Sequence, residues 1–168
     1  MRHGSVFKMV VATAALENNT ITTKTTVNDT GIYPRGHNPA CWIYTSRHYG
    51  HGYLNVTEAI KKSCNYFFYE LGYKMGIDPV IKYAKSYGLG IKTGIELSGE
   101  SKGIVDLKDY CKETTGQEWQ FGDTLSAVIG QSYNSYTPIQ IARYTSMLAN
   151  GGKSVDVTLI KSIIDSDG

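Results

Sequence analysis

The chain lacks any apolar run approaching the ~20 residues that a membrane span requires, so nothing in it reads as a spanning helix. Met1-Arg2-His3-Gly4 has no apolar stretch of its own and is not a secretory leader. No lysine or arginine cluster exceeds two adjacent residues, and a net charge of +2 gives no case for a nucleic-acid partner. Cysteine is scarce. Cys41, Cys64 and Cys111 are odd in number and irregular in spacing, which excludes a disulfide framework and leaves the redox compartment unread. What remains is ordinary: 168 residues suit one domain with a core of its own, and 41% hydrophobic with 19% charged residues is neither disordered nor fibrous. Thirteen tyrosines stand against four phenylalanines. Amphipathic rings in that excess suit half-buried packing, or a groove for peptide or sugar.

Residues 5 to 17 read as a helix that is apolar nearly all round, as in one buried at a domain centre, with Gly4 at the turn before it and Ser5 at its first position. The threonine-rich stretch from Asn18 to Val27 suits a short exposed hairpin or extended segment. Residues 28 to 55 have glycine, proline, asparagine and histidine without periodicity, and read as a long ordered loop. A second helix is predicted from about Asn55 to Tyr73, and a third is opened by Asp78-Pro79 and ends before Gly88. The stretch 91 to 122 is loop-rich with a short helix near Leu107 to Cys111, and two further helices cover about 123–130 and 138–149. Val155 to Ile164 alternates as a strand, with Asp167-Gly168 as the following turn. A lone strand makes no sheet, so the sequence is expected to be a partial domain.

Ser5 and Lys8 form the only S-x-x-K, and Ser63-Cys64-Asn65 forms an S-x-N on the second predicted helix. A serine hydroxyl is a poor nucleophile until a base takes its proton, and a side chain three positions on shares its helix face. Lys8 must be neutral to act as that base. From an ordinary value near ~10.4, deprotonation at neutral pH costs about 4–5 kcal/mol unless burial lowers it. A chance S-x-x-K on a surface helix is the plain alternative, and the absence of a polar face on this helix argues against it. Ser63 would pass a proton between Lys8 and a leaving group, and Asn65 would hydrogen-bond a substrate amide. Lys92-Thr93-Gly94 is a K-T-G, the third element such chemistry uses on a strand facing the serine.

Gly4-Ser5-Val6-Phe7-Lys8, Lys62-Ser63-Cys64-Asn65-Tyr66, Gly88-Leu89-Gly90 through Leu97, Ile129-Gly130-Gln131-Ser132 and Thr137-Pro138-Ile139-Gln140 together resemble a class B penicillin-binding protein. The likeness extends through Asn150-Gly151-Gly152-Lys153 and is strongest to the elongation- or sporulation-type D,D-transpeptidases of Gram-positive bacteria. It implies an α+β penicillin-binding and serine β-lactamase-like transpeptidase fold, here mostly its helical part, over residues 1–168 as a partial domain. Met1 to His3 stand outside the family pattern, which has proline before the glycine. The resemblance implies that Ser5 is acylated by a D-Ala-D-Ala stem peptide or a β-lactam, with Lys8 its base, Ser63 the proton shuttle and Asn65 a substrate contact. It places the catalytic K-T-G on a strand beyond Gly168, making Lys92-Thr93-Gly94 a decoy and the isolated chain a poor acylation target. It further implies a membrane-anchored parent on the extracytoplasmic face, partnered by a cell-wall glycosyltransferase. A β-lactam sensor or inactive binding fragment is the alternative, and a serine β-lactamase a more distant one.

His37, Cys41, His48 and His51 lie in one predicted loop with Asp29, which is metal-ligand chemistry at loose spacing. Some elongation-type relatives carry a metal beside the active site, using a cysteine about one turn before the S-x-N serine. Ile60 stands there in this chain. The ligand set therefore does not transfer, and the reading assigns no metal ligand and no cofactor.

Overall fold

In a computed structural model, residues 4–162 and 164 are described. A 3-10 turn at Gly4–Phe7 leads into α1 (Lys8–Glu17), whose Val10, Val11, Ala12, Ala14 and Ala15 are all buried. A helix without a polar face must be covered all round. It is covered by α4 (Asn65–Met75) and α5 (Asp78–Ser86), with α3 (Val56–Lys61) meeting it at one end. Phe67, Phe68 and Leu71 of α4 complete this centre, each fully buried and worth roughly 1.5–3 kcal/mol in transfer free energy. The remaining helices are α2 (Trp42–Arg47), α6 (Leu107–Thr115), α7 (Phe121–Ala127) and α8 (Pro138–Ala149). Among the described residues the sheet is a two-stranded antiparallel ribbon, β1 (Val27–Asp29) on β2 (Gly52–Leu54), with Asn28 opposite Tyr53.

Four expectations change. The helix predicted from Asn55 to Tyr73 is two helices, α3 and α4, because Ser63 takes a left-handed conformation (φ 50°) between them. The long loop is closed by the ribbon and contains α2, and Gly50 permits the closure: a Cβ there would lie 2.0 Å from the Asp29 carbonyl oxygen. The short helix near Leu107 runs on to Thr115. Described residues between Val155 and Ile164 form no strand, since no segment pairs with them; Thr158 and Leu159 instead hydrogen-bond the Glu96 carboxylate. The turn expected at Asp167-Gly168 lies outside the described residues.

Capping chemistry sets the helix starts. Asn55 accepts from Glu58 N at 3.0 Å while Glu58 accepts from Asn55 N at 2.9 Å, opening α3. Thr137 and Gln140 do the same for α8, with Pro138 in its first turn. Gln140 is fully buried and also donates to the carbonyls of Ile91 and Lys102, tying the 91–102 loop to α8. Pro79 opens α5 in the way the sequence predicts.

Candidate active site

The start of α1 is held from three sides. Gly4 N donates to Gly130 O at 3.2 Å, and the two backbones lie so close that a Cβ on Gly130 would sit 2.0 Å from Gly4 O. Gly130 also has φ +76°, so both space and conformation call for glycine there. The loop after α7 is fixed in turn by buried Asn134, which donates to the carbonyls of Ala127 and Gln131 and accepts from Tyr136 OH. From α8, Tyr144 OH donates to Val6 O at 3.1 Å, and Phe7 stacks on Tyr136. The turn that carries Ser5 is thereby clamped, while Ser5 itself is exposed.

Lys8 points the other way into the protein. It is only 2% exposed, and its Nζ donates to Ser63 O at 2.8 Å, Ser63 Oγ at 3.0 Å and Asn65 Oδ1 at 2.6 Å. Those acceptors converge because Ser63 is left-handed and Asn65 opens α4 immediately after it. That conformation costs a non-glycine residue roughly 1–2 kcal/mol, offset here by charge-assisted hydrogen bonds. Burial pushes the Lys8 amine down to about 8, against an upward pull from the Cys64 and Cys41 sulfurs. The structure thus brings Lys8, Ser63 and Asn65 together. Ser5 is not among the partners of the amine, whose three protons are all accepted elsewhere. It sits three residues earlier, on the 3-10 turn that precedes α1, and is exposed where Lys8 is buried.

Lys92-Thr93-Gly94 lies in a loop between α5 and α6. Thr93 N and Oγ1 donate to Glu100 Oε1 at 2.6 and 2.7 Å, and Gly94 N donates to Glu100 Oε2 at 3.2 Å. A carboxylate already occupies the groups that a strand K-T-G would offer to a ligand.

One cluster differs from the sequence reading, which assigned no metal ligand. Asp29, Cys41, His51 and Cys64 present donor atoms that all lie within 4.8 Å of one another. His51 Nδ1 is 2.7 Å from Asp29 Oδ2, Cys64 Sγ is 3.2 Å from the same oxygen, Cys41 Sγ is 3.6 Å from His51 Nδ1, and the sulfurs are 3.9 Å apart. Burial alone would raise the Asp29 carboxyl, but hydrogen bonds from His51, Gly31 N and Cys64 outweigh it and hold the group below its ordinary value. The Cys64 thiol is pushed up by the neighbouring Cys41 sulfur and by burial, so it keeps its proton. His37 and His48 are elsewhere: His37 lies against Gly122, and His48 is the left-handed residue that ends α2. The missing ligand is Cys64, the middle residue of the S-x-N. Its apolar-looking position on a predicted helix concealed it, and only the break at Ser63 turns it toward Asp29. Donors held ~2.0–2.3 Å from one tetrahedral ion sit ~3.3–3.8 Å apart, a range that falls within the 2.7–4.8 Å spread found here, and the N, S and O set suits zinc.

The comparisons with known proteins bear on the family and the fold. The family model for the penicillin binding protein transpeptidase domain matches residues 1–167. The peptidoglycan D,D-transpeptidase MrdA of Haemophilus influenzae is 35% identical over 162 residues, covering 95% of this chain and 24% of that protein. Stage V sporulation protein D of Bacillus subtilis is 34% identical over 168 residues, with 96% of this chain and 23% of that protein covered. Among solved structures, PBP2 of Pseudomonas aeruginosa in complex with WCK 5153 superposes with a TM-score of 0.87 at 33% identity, covering 99% of this chain and 39% of that one. The chain therefore spans about a quarter of the length of these curated relatives.

Proposed function

Since the chain belongs to the family of penicillin-binding protein transpeptidase domains, we propose that it supplies the nucleophile, base and proton-relay residues of a peptidoglycan D,D-transpeptidase. Ser5 Oγ attacks the carbonyl carbon between the two D-alanines of a stem peptide, and its proton passes to Lys8 Nζ. The C–N bond of the tetrahedral adduct then breaks, and the departing D-alanine amine takes a proton through Ser63 Oγ, 3.0 Å from Lys8 Nζ. An acceptor amine from a second stem peptide attacks the acyl-enzyme by the same path in reverse and releases Ser5. Asn65 orients the substrate amide. A β-lactam enters at the first step, and its opened ring stays attached to Ser5.

The observation that carries this reading is the buried Lys8 amine, held at about 8 and anchored by Ser63 and Asn65. A lysine on a solvated helix face would have neither property. Asp29, Cys41, His51 and Cys64 would hold a zinc-type ion that cross-links the ribbon, the α2 entrance and the S-x-N turn. The chemistry such an ion supplies there is structural.

The wider setting belongs to the same proposal. The parent is membrane-anchored and works on the extracytoplasmic face; among the described residues no helix is long and apolar enough to cross a membrane. A cell-wall glycosyltransferase is the proposed partner, and a structure concerned with polymerization and crosslinking by a peptidoglycan synthase complex matches this chain with a TM-score of 0.81 at 31% identity. The decisive experiment is fluorescent-penicillin labelling of a polypeptide holding this chain with the rest of a transpeptidase domain. Stable label on Ser5, lost in Ser5→Ala, is expected. Rapid release of the label would indicate a β-lactamase, and label without cross-linking of stem peptides would indicate a sensor.

A further inference from the structure

We propose that Cys41 and Cys64 are an oxidative modification site: in the metal-free protein a peroxide converts them to a disulfide that loosens the anchorage of Lys8. Both thiols are fully buried, and their sulfurs are 3.9 Å apart, so they must close by about 1.9 Å to reach the ~2.05 Å of a disulfide. Cys111 is held apart on α6, where its sulfur meets Thr115, Gln117 and Tyr133, and it has no cysteine partner. A pair plus an isolated third cysteine gives an internal control within one chain.

The reaction balances with a peroxide as the oxidant. One thiolate attacks a peroxide oxygen, the O–O bond breaks, and a sulfenic acid and hydroxide form. The second thiol then displaces the sulfenic oxygen as water. Two thiols are oxidised by two electrons, and hydrogen peroxide is reduced to two waters. Hydrogen peroxide is little larger than water, so a modest opening of the ribbon loop admits it.

The consequence follows from where Cys64 sits. Its sulfur accepts from Phe67 N at 3.4 Å, capping α4, and donates to Asp29 Oδ2 at 3.2 Å. Closing on Cys41 draws it away from both. Ser63 and Asn65 are its immediate neighbours, and among the described residues they provide the three acceptors of the Lys8 amine. Displacement of about 1 Å in such a constellation costs up to ~100-fold in rate. A bound ion would use the same two sulfurs as thiolates, so metal and disulfide exclude one another.

The test treats the 168-residue chain with hydrogen peroxide, with and without one equivalent of zinc chloride, and measures intact mass, free thiols under denaturation and cysteine connectivity. Without zinc, a loss of about 2 Da, one remaining thiol on Cys111 and a Cys41–Cys64 cross-linked peptide are expected, all reversed by dithiothreitol. Zinc should slow the reaction at least about tenfold. In the longer transpeptidase polypeptide, oxidation should slow penicillin acylation about tenfold or more and dithiothreitol should restore it. Sulfinic acid on one cysteine, or a disulfide that includes Cys111, overturns the assignment. A clean Cys41–Cys64 disulfide with unchanged acylation overturns the coupling while leaving the transpeptidase reading intact. Absence of acylation even in the reduced protein counts instead against that reading, since the mass and thiol measurements need no activity.

Discussion

Asn65→Asp is the sharpest perturbation of the candidate site, because it keeps the side chain's shape and puts a negative charge where the Lys8 amine now meets a neutral amide oxygen. With its amine at about 8, Lys8 is neutral in about one molecule in ten at pH 7; at the ordinary 10.5 the fraction would be about one in 3,000. Burial therefore lowers the free energy of reaching the neutral base by about 3 kcal/mol. The variant places a carboxylate oxygen where Asn65 Oδ1 now lies, 2.6 Å from Nζ. An opposite charge at that range raises a lysine by about 1–3 units, and the amine then stays protonated to pH ~9–11. The assay is NMR of ¹³Cε-labelled lysine in the chain itself. Wild type should show one lysine titrating near 8 apart from the others, and the variant should lose it from that region. Acylation of the longer polypeptide at pH 7 should fall about tenfold to a thousandfold and recover as pH rises. The linkage has a definite sign. Between pH 8 and 10.5 the unfolded chain binds a proton that the folded wild type has released, so wild-type stability rises through that window. The variant should show a weaker rise. A wild-type Lys8 resonance that titrates with the exposed lysines would refute the argument, since burial would then not be acting on the amine.

Three further outcomes are expected. Gly130→Ala forces a Cβ against Gly4 O and a side chain into a left-handed residue, so thermal melting should show a loss of about 2 kcal/mol or more, with Ser5 acylation impaired beyond what stability explains. Tyr144→Phe removes the hydroxyl that Val6 O accepts and should cost about 1 kcal/mol in urea unfolding. Lys92→Ala should leave acylation of the longer polypeptide within about twofold of wild type, because the adjoining Thr93 and Gly94 are committed to Glu100; a collapse in rate would show the loop to be part of the site.

What the sequence disclosed and what it withheld divide along physical lines. Helices announced by local punctuation were legible: Asp78-Pro79 before α5, and Thr137-Pro138 with Asn150-Gly151 around α8. The buried all-apolar α1 was legible too, and with it the environment of Lys8. The break at Ser63 was not, because Lys62-Ser63-Cys64 has no glycine to announce a left-handed residue. It is imposed from a distance by Lys8, whose amine takes three acceptors there. Cys64 as a neighbour of Asp29 and His51 was hidden for the same reason. Strands of three residues leave too short an alternation to detect, which is why β1 and β2 passed as loop. The alternating Val155–Ile164 segment errs the other way: the pattern is present, and a pairing edge is what a strand also requires.

Lys8 and the innermost valines belong to one helix, so the buried amine is mounted on the keel of the molecule. Local opening that freed the amine would first have to uncover the least accessible segment, and its free energy approaches that of global unfolding. Amide exchange along α1 should therefore be among the slowest in the chain.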